Sequence, residues 1–148
     1  MSDYTQCKTE IKDKEALIAA LADLVGDRSK IQVYDEPVEL QNGNMGKKGK
    51  AHIVVPKKYA GDGYYSRDIG FEKMPDGNYK MWVTDMPGSQ DSVENHCRET
   101  KRGGTGLLMR NYAKHTVLKK LKQKGRRMVS VKEKDGKIQI RAKVRTTG

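Results

Sequence analysis

The chain has 148 residues, a formal net charge of +11, 35% hydrophobic residues and 33% charged residues. This length is typical of one domain with a modest core of its own, and no apolar run approaches the about 18 residues of a membrane-spanning helix. We therefore predict a single basic domain over residues 1–148, without a membrane partner.

The cysteines and the N-terminal residues indicate the cellular compartment in which the protein is expected. Cys7 and Cys97 are far apart in the sequence, which is more typical of an intracellular chain with free thiols than of a disulfide scaffold. The first residues lack the basic start and the apolar stretch of a secretory signal. We expect a cytoplasmic protein, or one in the reducing interior of an organelle.

The first predicted elements are a strand and an amphipathic helix. Residues 5–11 favour a strand, and Asp13 is a good N-cap for the helix that follows. Gly26 is a typical helix stop. Between them, apolar residues recur at the three- and four-residue spacing of one helix face: Leu17, Ala20, Leu21, Leu24 and Val25.

The next segments favour strands. Residues 31–34 alternate as a short strand, and Pro37 indicates an edge position or an interruption. A basic, glycine-rich loop over residues 42–50 leads to a strand at residues 52–55.

A hairpin is predicted after these strands. Residues 68–71 and 79–83 flank Pro75-Asp76-Gly77-Asn78, a strong turn sequence. Residues 85–104 are predicted to form a long loop.

The last third is predicted to contain a helix over residues 105–124 and a closing hairpin that turns at residues 134–137. Spacing predicts an apolar side of the helix made of Met109, Tyr112, Ala113, Thr116, Val117 and Leu121. The opposite arc contains Asn111, Lys114, His115, Lys119 and Lys122. Alternation in the last strand predicts a core side made of Ile138, Ile140, Ala142 and Val144.

These elements follow the order β-α-β-β-β-β-α-β-β. Two helices packed on a mainly antiparallel sheet are the natural way to bury the apolar faces of such a set. The predicted fold class is therefore α+β.

Positive charge is concentrated in the last third of the chain. Residues 1–97 contain 13 Lys and Arg against 16 Asp and Glu, a net charge of −3. Residues 98–148 contain 17 against 3, a net charge of +14. Such a field is typical of proteins that bind nucleic acid or another polyanion, although a charged surface can also serve solubility alone. We predict a small accessory protein that binds RNA or DNA non-specifically through backbone phosphates.

The predicted interface consists of basic residues before, on and after the second long helix: Lys101, Arg102, Lys114, Lys119, Lys122, Arg141, Lys143 and Arg145. A secondary basic patch lies in and after the glycine-rich loop: Lys47, Lys48, Lys50, Lys57 and Lys58. The alternative function is a non-enzymatic adaptor or assembly protein that docks on an acidic protein partner. Acidic residues around the first helix, Glu15, Asp23 and Asp27, would let the front of one copy meet the back of another.

No set of residues points to catalysis or to a cofactor. His115 has no nucleophile or carboxylate at an interpretable spacing. Residues 101–106 precede a helix but lack the Gly-Lys-Ser/Thr of a P-loop. The candidate zinc ligands lack a paired spacing: Cys7, His52, His96 and Cys97. We predict no enzymatic activity, no catalytic residue, no metal and no cofactor.

Two segments carry a resemblance to a known family. Residues 7–13 (CKTEIKD) with 16–21 (ALIAAL), and residues 110–118 (RNYAKHTVL) with Gly125 and the closing hairpin, resemble the chloroplast open-reading-frame thirty-five family. Its members are small uncharacterised proteins from cyanobacteria, plastids and phages. The resemblance implies a compact α+β domain in the cytoplasm, the plastid stroma or, for a phage protein, the host cytoplasm. It singles out Tyr112 and His115 without assigning them a role.

Overall fold

The computed structural model describes residues 4–40, 49–61, 67–84, 92–97, 106–123, 126–134 and 137–144. Within these residues the elements are, in chain order, β1 (Tyr4–Lys8), α1 (Lys14–Val25), a 3-10 turn (Arg28–Lys30), β2 (Gln32–Glu39), β3 (Lys50–Val55), α2 (Lys57–Ala60), β4 (Ile69–Lys73), β5 (Tyr79–Thr84), α3 (Val93–Cys97), α4 (Leu107–Gln123), β6 (Arg126–Lys134) and β7 (Lys137–Val144). None of the described helices is long and apolar enough to cross a membrane.

Five of the strands form one antiparallel sheet in the order β1-β5-β4-β3-β2. The predicted α+β class, with two long helices and an antiparallel sheet, is confirmed. The closing hairpin differs from the prediction. Strands β6 and β7 form a separate two-stranded antiparallel sheet, and this hairpin contacts α4.

Helix α1 begins and ends as predicted. Asp13 has extended backbone angles, and its side chain accepts a hydrogen bond from the Ala16 N–H at 3.1 Å, which satisfies an amide of the first turn. Gly26 ends the helix at a φ of 90°, a conformation that strains residues with a Cβ. The buried side of the helix consists of Ala16, Leu17, Ile18, Ala20 and Leu21.

The predicted hairpin between β4 and β5 is also confirmed. Gly77 adopts a φ of 90°, and its N–H donates to the Met74 carbonyl at 2.9 Å. The Asp76 carboxylate accepts a hydrogen bond from the Asn78 N–H at 2.9 Å. These local bonds set the register of the two strands.

The main core lies between one face of the five-stranded sheet and the helices α1 and α4. Its largest fully buried side chains include Phe71, Ile53, Ile69, Val55, Val83, Leu17, Leu21 and Leu108. Alternate residues of a strand point to opposite faces, so the other face carries a second cluster. That cluster consists of Leu40, Ala51, Val54 and Trp82.

Two glycines allow the backbone to pack closely against the side chains of this second cluster. A Cβ at Gly70 would lie 2.5 Å from Leu40 Cδ1 and 2.8 Å from the Ala51 Cβ, and a Cβ at Gly49 would lie 2.7 Å from Trp82 Cδ2. Such distances are shorter than real Cβ contacts, so any larger residue would displace the cluster.

Strands β1 and β2 differ from their predicted bounds. Strand β1 ends at Lys8 because Ile11 turns into the main core, where its carbonyl accepts the Tyr79 N–H at 2.8 Å. Strand β2 extends through Pro37 to Glu39, because it is an edge strand whose register shifts between Val33 and Val38. The edge position indicated by Pro37 is therefore confirmed.

The predicted long loop over residues 85–104 contains the short helix α3. Val93 and Cys97 of this helix are buried in the main core, and this burial stabilises a single helical turn. One turn is too short to produce the periodic apolar pattern from which a helix is predicted. Residues 85–91 and 98–104 lie outside the described residues.

Candidate nucleic-acid interface

Helix α4, which carries three of the predicted phosphate-contacting lysines, packs along α1. The Tyr112 hydroxyl accepts hydrogen bonds from the backbone N–H groups of Lys12 (3.1 Å) and Asp13 (3.0 Å). These amides lie just before the first turn of α1 and have no acceptor within that helix. Tyr112, which belongs to α4, therefore caps the N-terminal end of α1 by accepting hydrogen bonds from these two amides.

Replacing Tyr112 with phenylalanine is expected to lower the free energy of unfolding by about 1–2 kcal/mol, because two amides lose their acceptor. Urea denaturation measures this loss. Tyr34→Phe is the matched control, since its hydroxyl donates only to the exposed Gln32 side chain at 2.8 Å, and the expected loss there is below about 0.5 kcal/mol. Equal losses in the two variants would contradict the role of Tyr112.

Lys119 pairs with two carboxylates at the start of α1. Its Nζ lies 3.0 Å from Asp13 Oδ2 and 3.0 Å from Glu15 Oε2. Hydrogen bonds to both carboxylates raise the pKa of Lys119 above its ordinary value. Burial alone would raise the pKa of Asp13, but the hydrogen bonds from the Ala16 N–H and from Lys119 outweigh it and lower that pKa.

Asp23, near the other end of α1, contacts two side chains of α4, a lysine and a histidine. Its Oδ2 lies 2.7 Å from His115 Nε2 and 3.2 Å from Lys114 Nζ. Burial opposes ionisation of this carboxyl, but the hydrogen bonds with His115 and Lys114 outweigh burial and lower the pKa of Asp23. The spacing of residues does not reveal this carboxylate partner of His115, because 92 positions separate the two.

The lowered carboxyl pKa values predict a loss of stability in acid. Asp13 and Asp23 have folded-state pKa values below the ordinary 3.8, so the unfolded chain binds these protons more readily than the folded one. Their contribution is complete above pH 3.8 and is lost as the pH falls through the lower folded-state values. Urea midpoints measured from about pH 6 to about pH 2 report this loss. The decline should be shallower in Asp23→Asn, and a decline as steep as that of the wild type would count against the pairing.

The predicted orientation of α4 is wrong in part. Periodicity predicts Ala113 and Val117 on the core side, but both are exposed, Val117 to 41%. Lys114, His115 and Lys119, predicted on the opposite arc, instead face α1. Their partners are Asp13 and Asp23 at the two ends of α1, and no pattern within α4 indicates this rotation.

The three lysines predicted on α4 therefore differ in their surroundings. Lys114 and Lys119 are paired within the chain yet keep 26% and 37% of their side chains exposed. Ion pairs at a protein surface are weak, so a polyanion can compete for both lysines. Lys122 is exposed in the last turn of α4, next to the closing hairpin.

The two strands of the closing hairpin carry an excess of positive charge, with seven Lys or Arg against one Glu. Residues directly opposite each other in an antiparallel ladder share a face. The register pairs Arg127 with Lys143, Ser130 with Arg141, Lys132 with Gln139, and Lys134 with Lys137. We call these eight positions the basic face, because six of them are Lys or Arg and none is Asp or Glu.

An irregularity in β6 creates the basic face. Strict alternation from Arg127 would place Val129 and Val131 on its side of the strand. The register shifts between Met128 and Ser130, so Ser130 follows Arg127 on the basic face. Val131 then lies opposite Ile140, on a face that is mostly apolar. A β-bulge thus separates charged from apolar positions.

The basic face includes two predicted site residues and adds others. Arg141 and Lys143 lie on it as members of β7. The prediction omits the four other cations of this face: Arg127, Lys132, Lys134 and Lys137. For Lys132, Lys134 and Lys137 the sequence signal is Asp135-Gly136, a pair that favours a two-residue turn and so sets the pairing next to it. Lys101, Arg102 and Arg145 lie outside the described residues.

The secondary basic patch is not brought together as a unit. Lys50 begins β3, whereas Lys57 and Lys58 lie in α2 beyond the other end of that strand, about 17 Å away at the usual strand rise. All three are exposed. The remaining members, Lys47 and Lys48, lie outside the described residues.

The four candidate metal ligands lie on three different elements, since His96 and Cys97 are both on α3. His52 is on β3 and accepts the Lys73 N–H at 3.1 Å, whereas Cys7 is on β1. Cys97 is buried on α3, where burial, followed by the charge of Glu94, raises the pKa of its thiol. The part of the chain that the structure describes contains no group of three or more His, Cys, Asp or Glu placed to hold a metal ion.

Together, the fold and the charge distribution define a basic α+β protein whose closing hairpin forms a second, two-stranded sheet. The chain belongs to the family described as "Protein of unknown function (DUF1257)", whose model matches residues 21–141. This span begins within α1 and ends within β7, so it includes all of α4. No curated protein and no solved structure gives a significant match.

Proposed function

We propose that the protein binds nucleic acid, RNA or DNA, non-specifically through backbone phosphates, with α4 and the closing hairpin as its contact surface. The observation that carries this proposal is the basic face, which has six cations and no carboxylate. Its register sets Arg127 against Lys143 and Lys134 against Lys137, and like charges directly opposite destabilise a ladder. Phosphates relieve that repulsion, and each contact also releases condensed counterions from the nucleic acid.

The proposed role is that of an accessory binding protein rather than an enzyme. We also propose that the family of unknown function is the chloroplast open-reading-frame thirty-five family, which the segments around α1 and α4 resemble. The corresponding location is the cytoplasm, the plastid stroma or the cytoplasm of a phage host.

A second candidate is an adaptor that docks on an acidic protein partner, because carboxylates would also relieve the repulsion on the basic face. Contact between the front of one copy and the back of another would have to compete with pairs inside each copy, as phosphates would for Lys114 and Lys119. Glu15 is paired with Lys119, and Asp23 with Lys114, within the same chain. Asp27 accepts the Ser29 N–H at 2.9 Å and begins the 3-10 turn.

The test is a fluorescence-anisotropy titration of labelled RNA and DNA oligomers at two salt concentrations. The expected result is binding that depends little on sequence and weakens steeply with salt. The slope of log K against log salt should approach about −5 if all six cations contact B-form phosphates. Unlabelled poly-glutamate is the control polyanion. An absence of nucleic-acid binding at low salt would overturn the proposal, and preferential binding of poly-glutamate would favour the adaptor.

A further inference from the structure

We infer that the ligand of the basic face is double-stranded B-form DNA, and that the ribbon formed by β6 and β7 lies in its major groove. This inference rests on the proposed nucleic-acid function and narrows it to one form of nucleic acid.

The shape of the ribbon fits that groove. Strands β6 and β7 have 9 and 8 residues and form a two-stranded sheet apart from the main sheet. At the usual rise of about 3.3 Å per residue, strands of this length make a ribbon roughly 26 Å long. The ribbon is narrow, because paired strands lie only about 4.8 Å apart. The major groove of B-DNA is about 12 Å wide and admits a two-stranded ribbon.

The cations are divided evenly between the two strands of the ribbon. Strand β6 contributes Arg127, Lys132 and Lys134, and strand β7 contributes Lys137, Arg141 and Lys143. A ribbon in the major groove has one phosphate backbone along each side. Each strand therefore supplies three cations to one of the two walls of the groove.

The opposite face of the ribbon is mostly apolar. Its positions include Met128, Val131, Ile138, Ile140 and Val144. Apolar residues favour contact with protein over water, and the hairpin contacts α4. The apolar face is therefore the one expected to pack on α4, which leaves the basic face for the groove.

Other forms of nucleic acid fit less well. The major groove of an A-form RNA duplex is deep and narrow, so a ribbon cannot enter it. Single-strand binding proteins stack bases on aromatic side chains, and neither β6 nor β7 contains an aromatic residue. A DNA duplex and an RNA duplex carry the same charge per base pair, so a difference in affinity between them reports geometry rather than charge.

The experiment compares four labelled probes of one sequence in anisotropy titrations at matched salt. These are a DNA duplex, an RNA duplex, a DNA single strand, and a DNA duplex with glucosylated 5-hydroxymethylcytosine, which fills the major groove at unchanged charge. We expect the plain DNA duplex to bind at least tenfold more tightly than each of the other three. The same preference should persist in Lys57→Gln/Lys58→Gln, a variant that loses charge away from the basic face.

Two results would overturn the inference while leaving the proposed function intact. One is an RNA duplex that binds as tightly as the DNA duplex, and the other is a glucosylated duplex that binds as tightly as the plain one. Failure of all four probes to bind at low salt would instead overturn the proposed function, and the inference with it.

Discussion

Replacing Arg127, Arg141 and Lys143 together with glutamine is expected to weaken nucleic-acid binding about 10²- to 10³-fold at 0.1 M salt. Each cation lost removes one phosphate contact, and each contact contributes about 0.9 to the slope of log K against log salt. The slope should therefore become shallower by about 3. Glutamine keeps a long polar side chain at each position, so the ladder of β6 and β7 retains its backbone pairing. Anisotropy titrations of the wild type and the variant at two salt concentrations measure both changes.

The matched control for this variant removes the same charge elsewhere. Lys50, Lys57 and Lys58 are exposed around β3, and their replacement with glutamine lowers the net charge by the same amount. We expect less than about a tenfold loss of affinity, because none of the three belongs to the basic face and salt screens exposed charges that make no phosphate contact. Equal losses in the two triple variants would show that net charge, rather than the basic face, governs binding.

Replacing Phe71 with alanine is expected to lower the free energy of unfolding by about 3–5 kcal/mol. Phe71 is 0% exposed and lies on β4, the central strand of the five-stranded sheet, on the face that packs against the helices. The substitution removes apolar area from the core and leaves a cavity that the surrounding strands cannot fill completely. Such a loss is a large part of the roughly 5–15 kcal/mol that stabilises an ordinary domain. Urea denaturation followed by circular dichroism measures it.

Tyr34→Ala provides the comparison for an exposed aromatic residue. Tyr34 lies on the edge strand β2 and is 36% exposed, so the expected loss is below about 1 kcal/mol. A loss at Phe71 no larger than that at Tyr34 would show that the main core is not where the structure places it. At a temperature where Phe71→Ala remains folded, its affinity for nucleic acid should match that of the wild type, because Phe71 does not belong to the basic face.

Elements that depend on local interactions were predictable. Asp13 and Gly26 bound α1 through a capping hydrogen bond and a left-handed backbone conformation, both formed within a few residues. Gly77 sets the turn between β4 and β5 in the same way. Pro37 cannot donate to a neighbouring strand, so it indicated the edge position of β2.

The candidate site was predictable only in its composition. Concentration of charge after residue 97 identified Arg141 and Lys143, which share the basic face. It did not reveal that Lys114 and Lys119 are paired with carboxylates of α1, because those partners are 91 and 106 positions away. It also did not identify Arg127, because the register shift between Met128 and Ser130 interrupts the simple alternation of the strand.

The sequence by itself determined the α+β class, the order of the long helices and the strands, and the excess of positive charge in the last third. These features follow from periodicity, capping residues, turn residues and composition, which act over a few residues or over the chain as a whole. Only the tertiary structure decided the rotation of α4, the second apolar cluster behind the sheet, and the separation of the closing hairpin from the main sheet. Each of these depends on which distant residues come into contact, and that choice is made by packing and charge pairing between elements rather than by any pattern within one of them.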